Sequence, residues 1–329
     1  MHGTVGVDIL RGLADESNEI WGHSGDDDVR GGQVEDEITG GKGDDSLWGD
    51  RGDDVIAGNT GDDRLWGSVN DDRLTGNAGN DWLSGGRDDD QLSGGRDNDE
   101  LHGNSGDDIL LGNSGDDVLR GDRGNDVLSG GRGNDVVDAG SGDDYVLASS
   151  GADSLSGGSG FDTLDFGSLA GRIEIDLGAH TARAGSGKAA VESTVSSFEQ
   201  IIGGDHGNVM TGDRNDTQFV GGEGQDWFRG KLGADTLTGG GDADTFAFLK
   251  KDLADGSVDH ITDFVAGEDH LDLSDFLKGH KSYDDVVRLG STADGDTIVQ
   301  GLVKGTWMDV AVLDNVQLGS IHDLGLFAA

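Results

Sequence analysis

Cysteine is absent from this 329-residue chain, so no disulfide holds it together. For a protein that works outside the cell, a bound metal is then the staple to expect. Apolar residues make up only 33% and aromatic residues 5%, too little for one large conventional core. No run approaches eighteen apolar residues, so no membrane-spanning helix is expected. The N-terminal MHGTVGVDIL carries no apolar segment preceded by basic residues, hence no cleavable secretory signal is expected there. Positive charge is scarce: 23 Lys and Arg face 66 Asp and Glu, a formal net charge of −43. That balance argues against nucleic acid and anionic membranes as partners and in favour of cations. Catalytic signatures are missing too. Neither an H-E-x-x-H zinc helix nor a G-x-S-x-G nucleophile elbow occurs, and the nine His are scattered. No enzymatic activity is expected of this chain.

What is present is a period. Cut at every ninth residue from Gly22, residues 22–165 give sixteen consecutive nonads such as GGKGDDSLW, GDRGDDVIA and GGRGNDVVD. Position six is always acidic: Asp27, Asp36, Asp45, Asp54, Asp63, Asp72, Asp81, Asp90, Asp99, Asp108, Asp117, Asp126, Asp135, Asp144, Asp153 and Asp162. Position eight is Val, Ile or Leu throughout, and positions one and four are nearly always Gly. A phase held this long is a repeat architecture.

One branched aliphatic every nine residues is too sparse for an amphipathic helix. Positions seven to nine suit a very short strand, with position eight inward and its neighbours outward. Glycines at positions one and four supply turns, often with positive φ. Two nonads then make one flattened coil, and stacked coils pair their position-eight side chains between two parallel sheets. The same stacking brings like carboxylates about 4.8 Å apart, a column that repels itself unless neutralised. Calcium is the natural counter-ion, taking six to eight carboxylate and carbonyl oxygens in flexible geometry, whereas magnesium is stricter. One ion would sit between turns two nonads apart, Asp27 sharing with the Asp45 turn and Asp36 with the Asp54 turn. Filling the turns in this way calls for about 14–18 calcium ions.

These nonads resemble the G-G-x-G-x-D-x-(aliphatic)-x repeat of the RTX (repeats-in-toxin) proteins. The resemblance implies an all-β fold: a right-handed, calcium-binding parallel β-roll, a β-helix-like solenoid of a secreted bacterial protein. Beyond the nonads, residues Asp259 to Phe264 and Leu271 to Ser274 resemble the C-terminal elements of type I secretion substrates. That likeness implies the type I secretion machinery as a partner and a secreted, extracellular or cell-surface location reached without a signal peptide.

Four segments are expected. A first array spans 3–165; it opens with GTVGVDILR, which places Asp8 at position six. Residues 12–21 carry one extra residue and Asn18 at that position, so a bulged coil with a weak or missing ion is expected. Residues 166–202 break the period with a strand at Ile173 to Leu177 and a loop over ARAGSGKAA. A second, short array spans 203–247, where only Asp226, Asp235 and Asp244 keep the acid and Asn208 and Thr217 replace it. Residues 248–329 form a β-rich capping and secretion module, with short strands at Thr297 to Val299 and Met308 to Leu313 and an apolar ending at 324–329.

Two outward faces stand out. Trp48, Trp66 and Trp82, joined by Arg64, share one face of three consecutive coils, either as a platform for extracellular polysaccharide or as a packing surface. On the other face, Ile109, Leu111, Val127, Tyr145 and Leu147 form an apolar patch that residues 166–202 or the second array should cover. Taken together, the expected function is that of a structural or adhesive calcium-binding protein of the cell surface or matrix. The alternative is the C-terminal calcium-binding and export module of a larger secreted enzyme or toxin whose catalytic part lies upstream.

Overall fold

A computed structural model describes residues 1–185 and 190–326. Residues 186–189 of the expected loop and 327–329 of the apolar ending lie outside the described residues. Strand accounts for 51% of the chain and helix for 3%. Two compact units form, Met1–Leu164 with Ser196–Phe198, and Asp165–Val195 with Glu199–Ala329.

The first unit is the β-roll that the period implies. Successive strands alternate between two parallel sheets, so a strand pairs with the next but one. The stagger is two nonads: Leu47 lies beside Leu65 and Leu65 beside Leu83 in one sheet, Ile38 beside Ile56 and Ile56 beside Leu74 in the other. These position-eight side chains are at most 1% exposed and form two facing apolar columns. Each buried aliphatic contributes about 1.5–3 kcal/mol. The extra residue in 12–21 is absorbed between strands, since Ile9 pairs with Asp28 at nineteen residues rather than eighteen.

The strands are longer than expected. Most run from position seven through position three of the next nonad, as in Ser46–Arg51 and Val55–Thr60. What permits this is position two, where the backbone turns left-handed: φ is 75° at Asp50, 82° at Asn59 and 83° at Asn77. Asn, Asp and Gly tolerate that region best, and they dominate the position. Position four is left-handed as well, in Gly61 (130°) and also in Asp88 (72°) and Asp97 (73°), which replace glycine there. The position-one glycines do not take positive φ, contrary to expectation. They are needed for closeness instead, because a Cβ on Gly49 or Gly58 would collide with the carboxylate of Asp54 or Asp63.

The second unit keeps two parallel stacks, each of which includes antiparallel strands. Ile173–Asp176 pairs in parallel with Val209–Thr211, and antiparallel with Thr181–Ala184 on its other edge. In the other stack, Asp259–Ile261 pairs in parallel with Thr306–Leu313, which turns back antiparallel onto Thr297–Val303. Both tail strands exceed their expected length for that reason: each completes the other's hydrogen bonds. Larger side chains fill this unit's core, with Phe219, Phe228, Phe246 and Phe276 fully buried.

Truncating one rung of the apolar columns, Leu83→Ala, should lower stability by about 2–5 kcal/mol. Equilibrium denaturation in calcium-containing buffer measures this, and a loss below about 1 kcal/mol would mean the columns are not the core.

Candidate metal centre

Each position-six side chain folds back under its own turn. From Asp27 to Asp162 these residues are 0–4% exposed, an unusual burial for sixteen carboxylates. One oxygen of each is satisfied. Asp45 Oδ1 accepts the backbone N–H of Asp27 at 2.8 Å, Asp63 Oδ1 that of Asp45 at 2.8 Å, and Asp54 Oδ1 that of Asp36 at 2.7 Å. Every acid thereby binds the same position one coil earlier, the eighteen-residue pairing expected from the sequence. Asp8 enters the ladder through its N–H, which donates to Asp27 Oδ1 at 2.8 Å, while Thr4 donates to its carboxylate from backbone N–H and hydroxyl.

The second oxygen is not satisfied. Among the described residues, Oδ2 of sixteen position-six acids, those from Asp27 to Asp144 with Asp226 and Asp235, is buried with no hydrogen-bond partner. It faces a niche above the position-one glycine. Beside Gly22 that niche is bounded by Asp27 Oδ2 and the carbonyl oxygen of Gly40; beside Gly221, by Asp226 Oδ2 and the carbonyl of Gly239. A niche walled by carboxylate and carbonyl oxygens, with no donor, suits a hard cation. No group of three or more His, Cys, Asp or Glu converges on a common point among the described residues. A cation here would therefore take much of its coordination from backbone carbonyls, which calcium accepts readily.

Burial dominates the electrostatics. It pushes the carboxyls of Asp63, Asp72, Asp90 and Asp99 up to about 8, and those of Asp54, Asp81, Asp126 and Asp135 to about 7. The backbone hydrogen bond on Oδ1 opposes the shift, and neighbouring acids such as Asp81 and Asp45 beside Asp63 add to it. Without a counter-ion the ladder favours protons over charge.

Two sets of acids in this arrangement escaped the sequence reading. Position five builds a second, exposed ladder that runs the opposite way: Asp44 N–H donates to Asp26 Oδ1 at 3.0 Å and Asp62 N–H to Asp44 Oδ1 at 2.9 Å. In the second unit the buried ladder does not stop at Asp244. Asp259 Oδ1 accepts from Asp235 N–H at 3.0 Å, and Asp269 Oδ1 from Asp244 N–H at 3.0 Å. Asp259 is 6% and Asp269 3% exposed, and burial raises Asp259 to about 8. The triplets Asp259-His260-Ile261 and Asp269-His270-Leu271 repeat the acid-x-aliphatic order of positions six to eight; steps of 24 and 25 residues hid them from a nine-residue ruler.

The tryptophans do share one face, as a closed ladder. Arg30 lies over Trp48 at 4.7 Å, Trp48 and Trp66 stack at 4.5 Å with planes 1° apart, and Trp82 follows at 5.2 Å with His102 beyond it at 5.6 Å. Each ring has a neighbour on both sides; Trp48 and Trp66 lie face to face, whereas Trp82 is tilted 50° to Trp66 and 40° to His102. Arg64 sits exposed beside them. In the apolar patch on the other sheet, Ile109 is 40% and Leu111 39% exposed.

Comparison with known proteins agrees with this geometry. Residues 2–36, 31–65, 66–101, 102–137 and 129–164 match the RTX calcium-binding nonapeptide repeat (four copies). Residues 153–300 match the peptidase M10 serralysin C-terminal family. No curated protein sequence matches. Among solved structures, the extracellular lipase LipA from Serratia marcescens aligns at 17% identity over 85% of this chain and 45% of its own, with a TM-score of 0.23. The chain thus spans less than half the length of that lipase.

The raised carboxyls carry a pH signature. The folded, metal-free roll binds protons more tightly than the unfolded chain, whose Asp groups titrate near 3.8. Its stability therefore falls as pH rises from about 4 through 8. Metal-free protein should gain β-structure by circular dichroism on acidification from pH 8 to pH 5; the opposite trend would contradict the buried ladder.

Proposed function

The chain belongs to the RTX family of calcium-binding repeat proteins, its residues 2–164 being nonapeptide repeats and 153–300 a serralysin-type C-terminal domain, and on that premise we propose that its position-six acids form a calcium-gated folding ladder. It is a secreted calcium-binding protein. The observation that carries the proposal is the orphaned, buried Oδ2 repeated along both arrays. Calcium, when bound, supplies the positive charge those oxygens lack. We assign the sites to the acids from Asp27 to Asp162 and to Asp226, Asp235 and Asp244, with Asp8 at the open end, about 14–18 ions in all.

The chain's own residues do the rest. Where calcium is scarce, the acids stay ionised and resist burial, so the coils stay apart and the chain remains extended enough to thread an export channel. Where it is plentiful, only the stacked form offers paired niches, and ligand affinity becomes folding free energy, about 2.7 kcal/mol per site at a hundredfold excess over Kd. The serralysin-type domain supports export by a type I route. After export we read the protein as a structural or adhesive component of the cell surface or matrix, without catalysis of its own. The closed tryptophan ladder supports a packing role for that face and lends no support to polysaccharide stacking.

A second reading is favoured by one observation. The C-terminal match is to a domain described as the C terminus of a peptidase family. On that reading the chain is the calcium-binding and export module of a larger secreted enzyme.

Far-UV circular dichroism during calcium titration tests the ladder. Coil should convert to β-structure as calcium rises, and magnesium should do so far less well. A spectrum already fully β in metal-free buffer at pH 8 would overturn it.

A further inference from the structure

The arrays do not depend on the ion at every turn. Asn18 and Asn208 stand at position six, and both keep their place in the ladder: Asn18 N–H donates to Asp36 Oδ1 at 2.6 Å and Asn208 N–H to Asp226 Oδ1. Their side chains occupy the niche that Asp Oδ2 occupies elsewhere. A Cβ added to Gly203 would meet Asn208 Nδ2 and the carbonyl of Gly221, just as one on Gly221 would meet Asp226 Oδ2 and the carbonyl of Gly239. The chemistry is inverted, however. Asn208 Nδ2 donates to the carbonyls of Gly204 and Gly221, both at 3.0 Å, and Asn18 Nδ2 donates to the carbonyls of Leu13 at 3.1 Å and Glu16 at 2.7 Å and to Asp36 Oδ1 at 2.7 Å.

We infer that Asn18 and Asn208 are built-in substitutes for calcium, closing one turn in each unit with an amide N–H2 where the other turns need a cation. In an Asp turn, carboxylate oxygen faces carbonyl oxygen, and an acceptor facing an acceptor leaves both unpaired unless a positive charge lies between them. In an Asn turn the amide hydrogens find acceptors without a cation, and the ladder carries one negative charge fewer. Those of Asn208 reach the next coil's Gly221 carbonyl, the counterpart of Gly40 beside Asp27, and those of Asn18 reach the carbonyls of Leu13 and Glu16 and Asp36 Oδ1. The two positions agree although their nonads differ in length, 12–21 holding an extra residue. Each donates to the position-two carbonyl of its own nonad and to an oxygen contributed by the next coil, Asp36 Oδ1 or the Gly221 carbonyl. These turns close at any calcium concentration, and the ion count is set by which residue stands at position six. The inference rests on the calcium ladder proposed above and specifies where it is interrupted.

Counting metal per chain tests it, by elemental analysis after gel filtration in saturating calcium. Asn208→Asp should bind one ion more than the native chain, because it restores the unpaired oxygen. Asp226→Asn, its neighbour in the same column, should bind one ion fewer and show more β-structure in metal-free buffer, which keeps the test open if Asn208→Asp fails to fold. An unchanged count in a folded Asn208→Asp, or in Asp226→Asn, would overturn the substitution. A native chain that binds no calcium would instead remove the ladder itself, and the inference with it.

Discussion

A carboxylate buried between two coils is the constraint on which this structure turns. Its Oδ1 is held by the backbone of the preceding coil, which fixes the stagger at two nonads and keeps Leu47, Leu65 and Leu83 in one column. Its Oδ2 is left facing carbonyl oxygens. The first contact stabilises stacking and the second opposes it, so the same residue specifies the fold and withholds it. Burial without a partner is what raises these acids into the range of 6–8, and it makes the metal-free roll a proton-dependent object.

The glycines follow from that carboxylate. Position-one glycine leaves room for the niche, since any side chain there would enter the space in front of Oδ2. Ala139 and Ala148 stand at that position and are 0% and 3% exposed, their methyl groups being the smallest that could intrude. Positions two and four answer a different need, the left-handed turns that bring the chain round within three residues. The position-five ladder adds exposed hydrogen bonds of the opposite sense, tying each turn to the coil before it while position six ties it to the coil after.

In the second unit the same contact outlives the repeat. Asp259 and Asp269 take the place of the next two position-six acids although their connections are several residues longer. Larger aromatic side chains and antiparallel strand pairs join the thin columns there. A bidentate ion pair between Arg229 and Asp252, at 2.8–2.9 Å and largely buried, supplies a metal-free tie between the second array and the start of the tail. Charge is balanced within the protein at that point, whereas Oδ2 of buried acids such as Asp63 and Asp72 in the regular coils has no hydrogen-bond partner.

Much of this was legible in the residues alone. The nine-residue phase determined which side chains enter the core, that coils contain two nonads, that Asp27 pairs with Asp45, and that an excess of acid calls for cations. Strict periodicity makes this possible, because one coil's environment is every coil's environment. Where the period fails, only the folded chain decided. The role of position-one glycine depends on an approach between atoms that no pattern records. Asp259 and Asp269 were hidden by irregular connections whose length is taken up in loops. The tryptophans were placed on one face by spacing, but whether their planes lay open or closed on each other was settled by side-chain packing. Asn18 and Asn208 read as lost ligands in the sequence. Only the carbonyls around them, brought together by stacking, make them donors.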